Sequence, residues 1–376
     1  MAKIIAVAND FAFGPVGTLL TITKPLLLEG HDIIFVGNGT AYQLGSKAGF
    51  QQAIKQDTRS PGYIDFALPL FQQADLILSS MDRLSVYMAQ MAGKAVVYID
   101  VLFWYWEQLH DSVLQADCYI KQNTLHDTAN VLKFQSRMRN LQSVGPIIDL
   151  SALKNRQSRQ QLLVAYGGME AENTYRVGVE TGYPYFMTEV LLHNLHIERF
   201  ERVLFTGNER IMEALHKKHA SSRIEFMTLP HEQYLQEVAN SALVLSIPGL
   251  EAPLECFGLQ VPTFFLPPSN ISQYLQLDHF REREVAHGSI HLRDYYPELI
   301  FTGLDYHEKT QRFFSQLRIL EQDQHVLLDM ARRINACINN SQQWDRQRQA
   351  QTAYLQTLGG NGLPRTLELI RSFLPR

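Results

Sequence analysis

Residues 246–262 set a carboxylate, Glu255, six positions after Gly249, with Gly258 and Pro262 following and Gln273 in the next loop. Apolar residues 242–245 before this run and 263–266 after it read as buried strands, so a Pro248-Gly249 turn leads from a strand into a helix. The free N–H groups of a helix N-terminus, with the macrodipole behind them, suit an anion. Pro248, Gly249, Leu250 and Glu251 would form the turn around it. Glu255, about one and a half turns further on, is placed to accept hydrogen bonds from a vicinal diol such as that of ribose. Singly, each residue is ordinary turn punctuation. In order, they argue for phosphate and ribose side by side.

Other candidates sit where further strands end. Gly167 and Gly168 close the apolar strand 161–166 and offer backbone donors to developing negative charge, or simply a tight turn. Asp10 follows the strand 4–8, where it is either a general base or an Asx-turn residue. Asp100 ends another strand and precedes the aromatic run Phe103 to Trp106; Asp82 is a third carboxylate candidate. The aromatics are either a stacking surface or core. The spaced histidine pairs His216/His219 and His287/His291 read as surface residues, and no HExxH or DxD triplet organises a metal site, so none is expected.

The set Gly249, Glu255, Gly258, Pro262, Gln273 resembles the donor motif in the C-terminal domain of GT-B glycosyltransferases. That resemblance implies an α/β chain of two Rossmann-like domains facing a cleft, with a final helix returning to the N-terminal domain. It also implies diphosphate near Gly249 and the Gly167-Gly168 loop, ribose on Glu255, sugar near Gln273, and the nucleobase framed around Leu229, Pro230 and His231. UDP is the expected nucleotide, with GDP and dTDP as the alternatives, since main chain supplies the one donor and one acceptor that uracil needs. The nucleotide sugar is a co-substrate, and no cofactor is expected.

The elements that must position these residues follow from composition and periodicity. At 376 residues the chain exceeds what one core usually serves. Hydrophobic content of 45% with 19% charged residues is that of a globular protein, and a net charge of −4 gives no reason to expect a nucleic-acid polymer. Three scattered cysteines make neither a disulfide framework nor a metal knuckle, and no apolar run is long enough to span a bilayer, so a cytoplasmic enzyme is expected. Alternating strand and helix patterns predict one Rossmann-like domain over 1–149, binding the acceptor, and a second over 159–355, binding the donor. The terminal helix, 363–376, with Pro364 near its start, joins the first.

The loop from Asn9 to Gly17, together with residues 35–40, is similar to cytosylglucuronate-synthase-related proteins of nucleoside biosynthesis. This implies UDP-glucuronate as donor and cytosine as a planar acceptor; Phe13, Gly14, Phe103 and Trp104 are the candidates to surround it, and the strand-end carboxylates Asp10 and Asp100 the candidates for the base. A glucuronate carboxylate needs a cation, for which Arg176 and Arg281 are the candidates. Two other readings stand beside transfer. One is a UDP-sugar epimerase or hydrolase on the same fold, with Glu251 as an acid/base group. The other is a silent nucleotide-sugar-binding module. A homo-oligomer is left open.

Overall fold

The computed structural model describes residues 1–157, 159–171, 175–176 and 182–375, which form two compact units. One comprises Met1–Asp149 with Leu355–Arg376, and the other Leu150–Tyr354.

The first unit is built on seven strands: β1 (Lys3–Ala8), β2 (Asp32–Gly37), β3 (Gln52–Lys55), β4 (Leu76–Ser80), β5 (Val96–Asp100), β6 (Cys118–Gln122) and β7 (Leu141–Val144). They lie in the order β3-β2-β1-β4-β5-β6-β7, all parallel. A parallel sheet is covered on both faces, which is why β1 reads as an unbroken apolar run. Ile4, Ala6 and Phe35 pack with Val16 and Leu19 on one face, whereas Ile5, Val7 and Val36 pack with Tyr63, Phe71 and Val86 on the other. The helix Gly14–Leu28 starts with proline in its first turn, and the chain leaves it through Gly30 at φ 84°.

The C-terminal helix Leu363–Arg371 lays Leu367 and Ile370 into the core formed with Val16 and Leu19. Burying those two side chains contributes about 3–6 kcal/mol. Its approach is backbone on backbone: the Gly362 N–H donates to Pro146 O at 2.7 Å. A Cβ at Gly362 would lie 1.9 Å from Gly145 O, and one at Gly145 would lie 2.4 Å from Gly360 O. Gly362→Ala is therefore expected to lower stability by about 1–3 kcal/mol, because the two backbones must separate. A lower urea midpoint, with faster amide exchange in residues 363–371, is the expected readout, and an unchanged midpoint would show that the junction yields freely.

The second unit holds β8 (Gln161–Gly167), β11 (Arg202–Gly207), β12 (Ile224–Met227), β13 (Leu243–Ser246) and β14 (Thr263–Phe265) in the parallel order β12-β11-β8-β13-β14. Between β8 and β11, β9 (Glu170–Ala171) and β10 (Tyr175–Arg176) pair antiparallel. Helices Tyr306–Gln322, Gln324–Ile338 and Ser341–Thr357 follow, the last carrying the chain into the first unit. No helix among the described residues is long and apolar enough to cross a membrane.

The histidine reading needs correction here. His291 is fully buried, its Nδ1 accepting the Arg293 N–H at 3.1 Å while Nε2 faces Tyr274 O, and burial lowers its pKa. A neutral imidazole satisfies two backbone groups at once, which lets it sit inside.

Each sheet reverses the direction of strand addition once, between β1 and β4 and between β8 and β13. Loops diverge at such a switch point and leave a crevice outside the carboxyl ends of the strands.

Candidate functional site

In the second unit the switch point lies between Gly167, ending β8, and the turn after β13. The Ile247 N–H donates to Ala165 O at 3.2 Å, which binds the two strand ends together. Gly167 has φ 64° and Met169 φ 52°, so the loop makes two left-handed turns within three residues. Only glycine adopts this without strain, and strained backbone held by its surroundings collects at functional sites. Gly168 joins the two turns. Among the described residues a Cβ on Gly249 would meet nothing within 4 Å, so space opens in front of that turn.

The helix after Gly249 runs from Glu251 to Gly258, later than the sequence suggested, because the Gly249 N–H is taken by Ile247 O at 2.8 Å. The donors outside the helix's own ladder are thus those of Leu250, Glu251 and Ala252, since Pro253 has none. Glu255 is one turn along and 5% exposed. Its Oε1 accepts from His231 Nε2 at 2.7 Å. His231 is the first residue of the helix His231–Asn240, entered through Pro230 and buried Leu229. The resemblance implied a base contact for His231, which could equally have been a plain helix start; the residue does begin the helix, and its ring is directed to the carboxylate. Gln273, on the helix Ile271–Glu282, has Oε1 held by the Ser269 N–H (2.8 Å) and Oγ (2.9 Å), which leaves its amide NH2 as the available donor. Arg281 is committed to Asp294 at 2.8 Å, and the side chain of Arg176 lies outside the described residues.

In the first unit, Asp10 follows β1 at the β1/β4 switch point and is 5% exposed. Its Oδ2 accepts from Arg59 Nη2 at 2.6 Å, and its backbone carbonyl accepts from Thr40 Oγ1 at 2.7 Å. Arg59 also bonds Asp57, and its pKa is raised because these carboxylates outweigh its desolvation. Asp82, after β4, caps the helix Arg83–Met91 through Ser85 N and accepts from Thr58 Oγ1 at 2.6 Å. Ala12 and Met81, beside Asp10 and Asp82, both have positive φ (49° and 60°). Phe13 and Gly14 begin the helix after β1, Phe13 half-buried against the core.

Beside this crevice, Phe11 and the half-buried rings of Trp104, Tyr105 and Trp106 pack on Met81, Val101 and Leu102. Trp104 and Tyr105 meet edge to face, as do Tyr105 and Trp106 (centroids 5.6 and 5.7 Å). Phe103 points the other way, into the core against Tyr119 and Phe134, and presents no surface to a ligand.

Asp100 is fully buried, its oxygens accepting from the Leu102 N–H (2.7 Å), Trp106 Nε1 (2.9 Å) and the Tyr119 hydroxyl. This carboxylate shapes the aromatic loop. Desolvation pushes its pKa up to about 6 against those three donors. The folded state therefore binds the proton more tightly than the unfolded chain, so this group's contribution to stability is largest in acid. It declines as pH rises from about 4 to about 6, by on the order of 3 kcal/mol. Asp100→Asn should flatten that slope in urea unfolding followed across pH, and an unaltered slope would show that Asp100 ionises without cost.

Sequence reasoning missed Arg59, Thr58 and Phe11 in the first unit and Ser269 in the second. Phe11 had a signal, as neighbour of Asp10 in the loop. Arg59 had none, because the strand that carries it to the site is short and only half apolar.

Two parallel α/β units, each with candidate groups at its switch point, define the GT-B fold, and solved structures bear this out. The chain is similar over 99% of its length to a Listeria monocytogenes protein assigned as a UDP-N-acetylglucosamine 2-epimerase (14% identity, 96% of that chain, TM-score 0.54). It is similar to HepE of Anabaena, solved with UDP-glucose (12% identity, 99% of each chain, TM-score 0.52), and to UGT89C1 of Arabidopsis thaliana, solved with quercetin (11% identity, 99% of each chain, TM-score 0.55). No family model and no curated protein matches the sequence.

Proposed function

We propose that this chain transfers a sugar from a UDP-sugar to a small-molecule acceptor, with no metal ion in the chemistry. The observation that carries the reading is Glu255. It is a nearly buried carboxylate held one helical turn beyond a helix N-terminus at the β8/β13 switch point, with open space before Gly249. That arrangement suits a ribose beside a diphosphate. Backbone donors from Leu250 to Ala252 and around Gly167 and Gly168 would stabilise the leaving diphosphate. Main chain around Leu229 would read uracil, and the Gln273 amide would face the sugar.

In the first unit, Asp10 would take the acceptor's proton as the nucleophile attacks the anomeric carbon and the bond from that carbon to the diphosphate oxygen breaks. The rings of Phe11, Trp104, Tyr105 and Trp106 suit a planar acceptor. UDP-glucuronate and cytosine are the narrower form of the proposal. The engagement of Arg281 with Asp294 removes one candidate partner for the glucuronate carboxylate, so the donor is proposed as a UDP-sugar in general.

Epimerisation is the second reading, favoured by the Listeria neighbour and by Glu251 at the helix start. The test incubates the protein with UDP-sugars, with and without an acceptor panel that includes cytosine and flavonols. UDP release that requires an acceptor supports transfer. A rearranged sugar still attached to UDP overturns transfer in favour of epimerisation, and binding without turnover overturns both in favour of a silent module.

A further inference from the structure

We propose that His231 is a positioning residue for the ribose: it pins one oxygen of Glu255 so that the other is presented to the diol. This rests on the donor site proposed above. A carboxylate this deeply buried is costly unless hydrogen-bonded, and among the described residues it has one side-chain partner, His231 Nε2 at 2.7 Å. The side chains of His231 and Glu255 are 12% and 7% exposed, so little water reaches the pair.

The protonation pattern follows from chemistry. Ionised carboxylate oxygens only accept, so Nε2 must carry the proton, and the ring is either the Nε2–H tautomer or the imidazolium. Oε1 is thereby occupied. Oε2 has no donor among the described residues, and its lone pairs are left for hydroxyl groups. The bond also spans two helices, joining the first residue of His231–Asn240 to the middle of Glu251–Gly258. The angle at which Glu255 meets a ribose is thus set by a residue 24 positions away, and not by the local helix alone. Gln273 follows the same pattern, one amide atom tied to Ser269 and the other left as a donor. Both side chains are oriented before any ligand arrives, which lowers the ordering cost of binding.

The experiment compares UDP with its 2′-deoxy and 3′-deoxy analogues by calorimetric titration in wild type, His231→Phe and His231→Gln, with melting curves to confirm folding. Wild type should favour UDP over at least one deoxy analogue by roughly ten-fold or more, the worth of a hydrogen bond to a charged group. In His231→Phe that preference should collapse towards equality, while affinity for the disfavoured analogue changes little. His231→Gln, which retains an N–H donor, should restore much of the preference. If His231→Phe weakens all three nucleotides by the same factor, His231 contacts the base or merely supports the helix, and the inference fails while the donor site stands. If the preference persists in His231→Phe, Glu255 orients itself and the inference fails alone. If wild type binds UDP without preferring it to either analogue, the ribose assignment falls and takes the inference with it. If wild type binds no UDP, the proposed donor site itself falls.

Discussion

Asp10→Asn is expected to lower turnover by roughly 10²–10⁴, the usual worth of a positioned acid or base, while UDP affinity stays unchanged. Asparagine keeps the side chain's shape, and the bond from Thr40 Oγ1 goes to the backbone carbonyl, so the loop keeps that anchor. What changes is the capacity to take a proton and the ion pair with Arg59. The two effects separate by comparison with Arg59→Gln, which removes the same ion pair but leaves the carboxylate. A base role requires Asp10→Asn to be far the slower enzyme in single-turnover measurements. Equal, small losses in both variants would make Asp10 an anchor for Arg59. The role would not then pass readily to Asp100, whose oxygens are enclosed by Leu102, Trp106 and Tyr119.

Glu255→Ala should weaken UDP binding by about 1.5–3 kcal/mol, the range for hydrogen bonds to a charged group. The helix Glu251–Gly258 loses only a side chain, and His231 keeps its place at the start of its own helix. The melting temperature should therefore move little while the calorimetric dissociation constant rises. An unchanged constant would remove Glu255 from the site.

The fold was legible where burial on both faces makes strands apolar throughout. The runs at residues 4–8 and 242–245 stand out for that reason, and the predicted strand at 161–166 extends by one residue, to Gly167. The edge strands of the first sheet were not legible. β3 and β7 are short, half-solvated and only half apolar, and nothing in Gln52–Lys55 or Leu141–Val144 announces a strand. That gap hid Arg59. Its loop follows β3, and reaching Asp10 means crossing β2, about 10 Å at ordinary strand spacing, which only the sheet order reveals.

The donor motif was legible as a list of residues, because Gly249 and Glu255 lie on one continuous turn and helix. Its internal chemistry was not. That the Gly249 N–H is already used, and that His231 holds Glu255, depend on a γ-like turn and on a contact between helices, neither of which leaves a local pattern. The aromatic run Phe103 to Trp106 shows the same limit: consecutive rings share a composition, yet the chain turns one inward and leaves three half-covered.

The first unit's core includes Leu367 and Ile370, and its last helix is entered through the close Gly145–Gly362 junction. On the ribosome, residues 1–149 emerge first, yet the surface that covers Val16 and Leu19 is synthesised after the whole of the second unit. The earlier-made half must therefore wait with an apolar face uncovered until residues 363–371 arrive, while the later-made half is complete once its own chain is out. Birth order and completion order are reversed. The nascent first unit is the stage at which this chain is most in need of a chaperone.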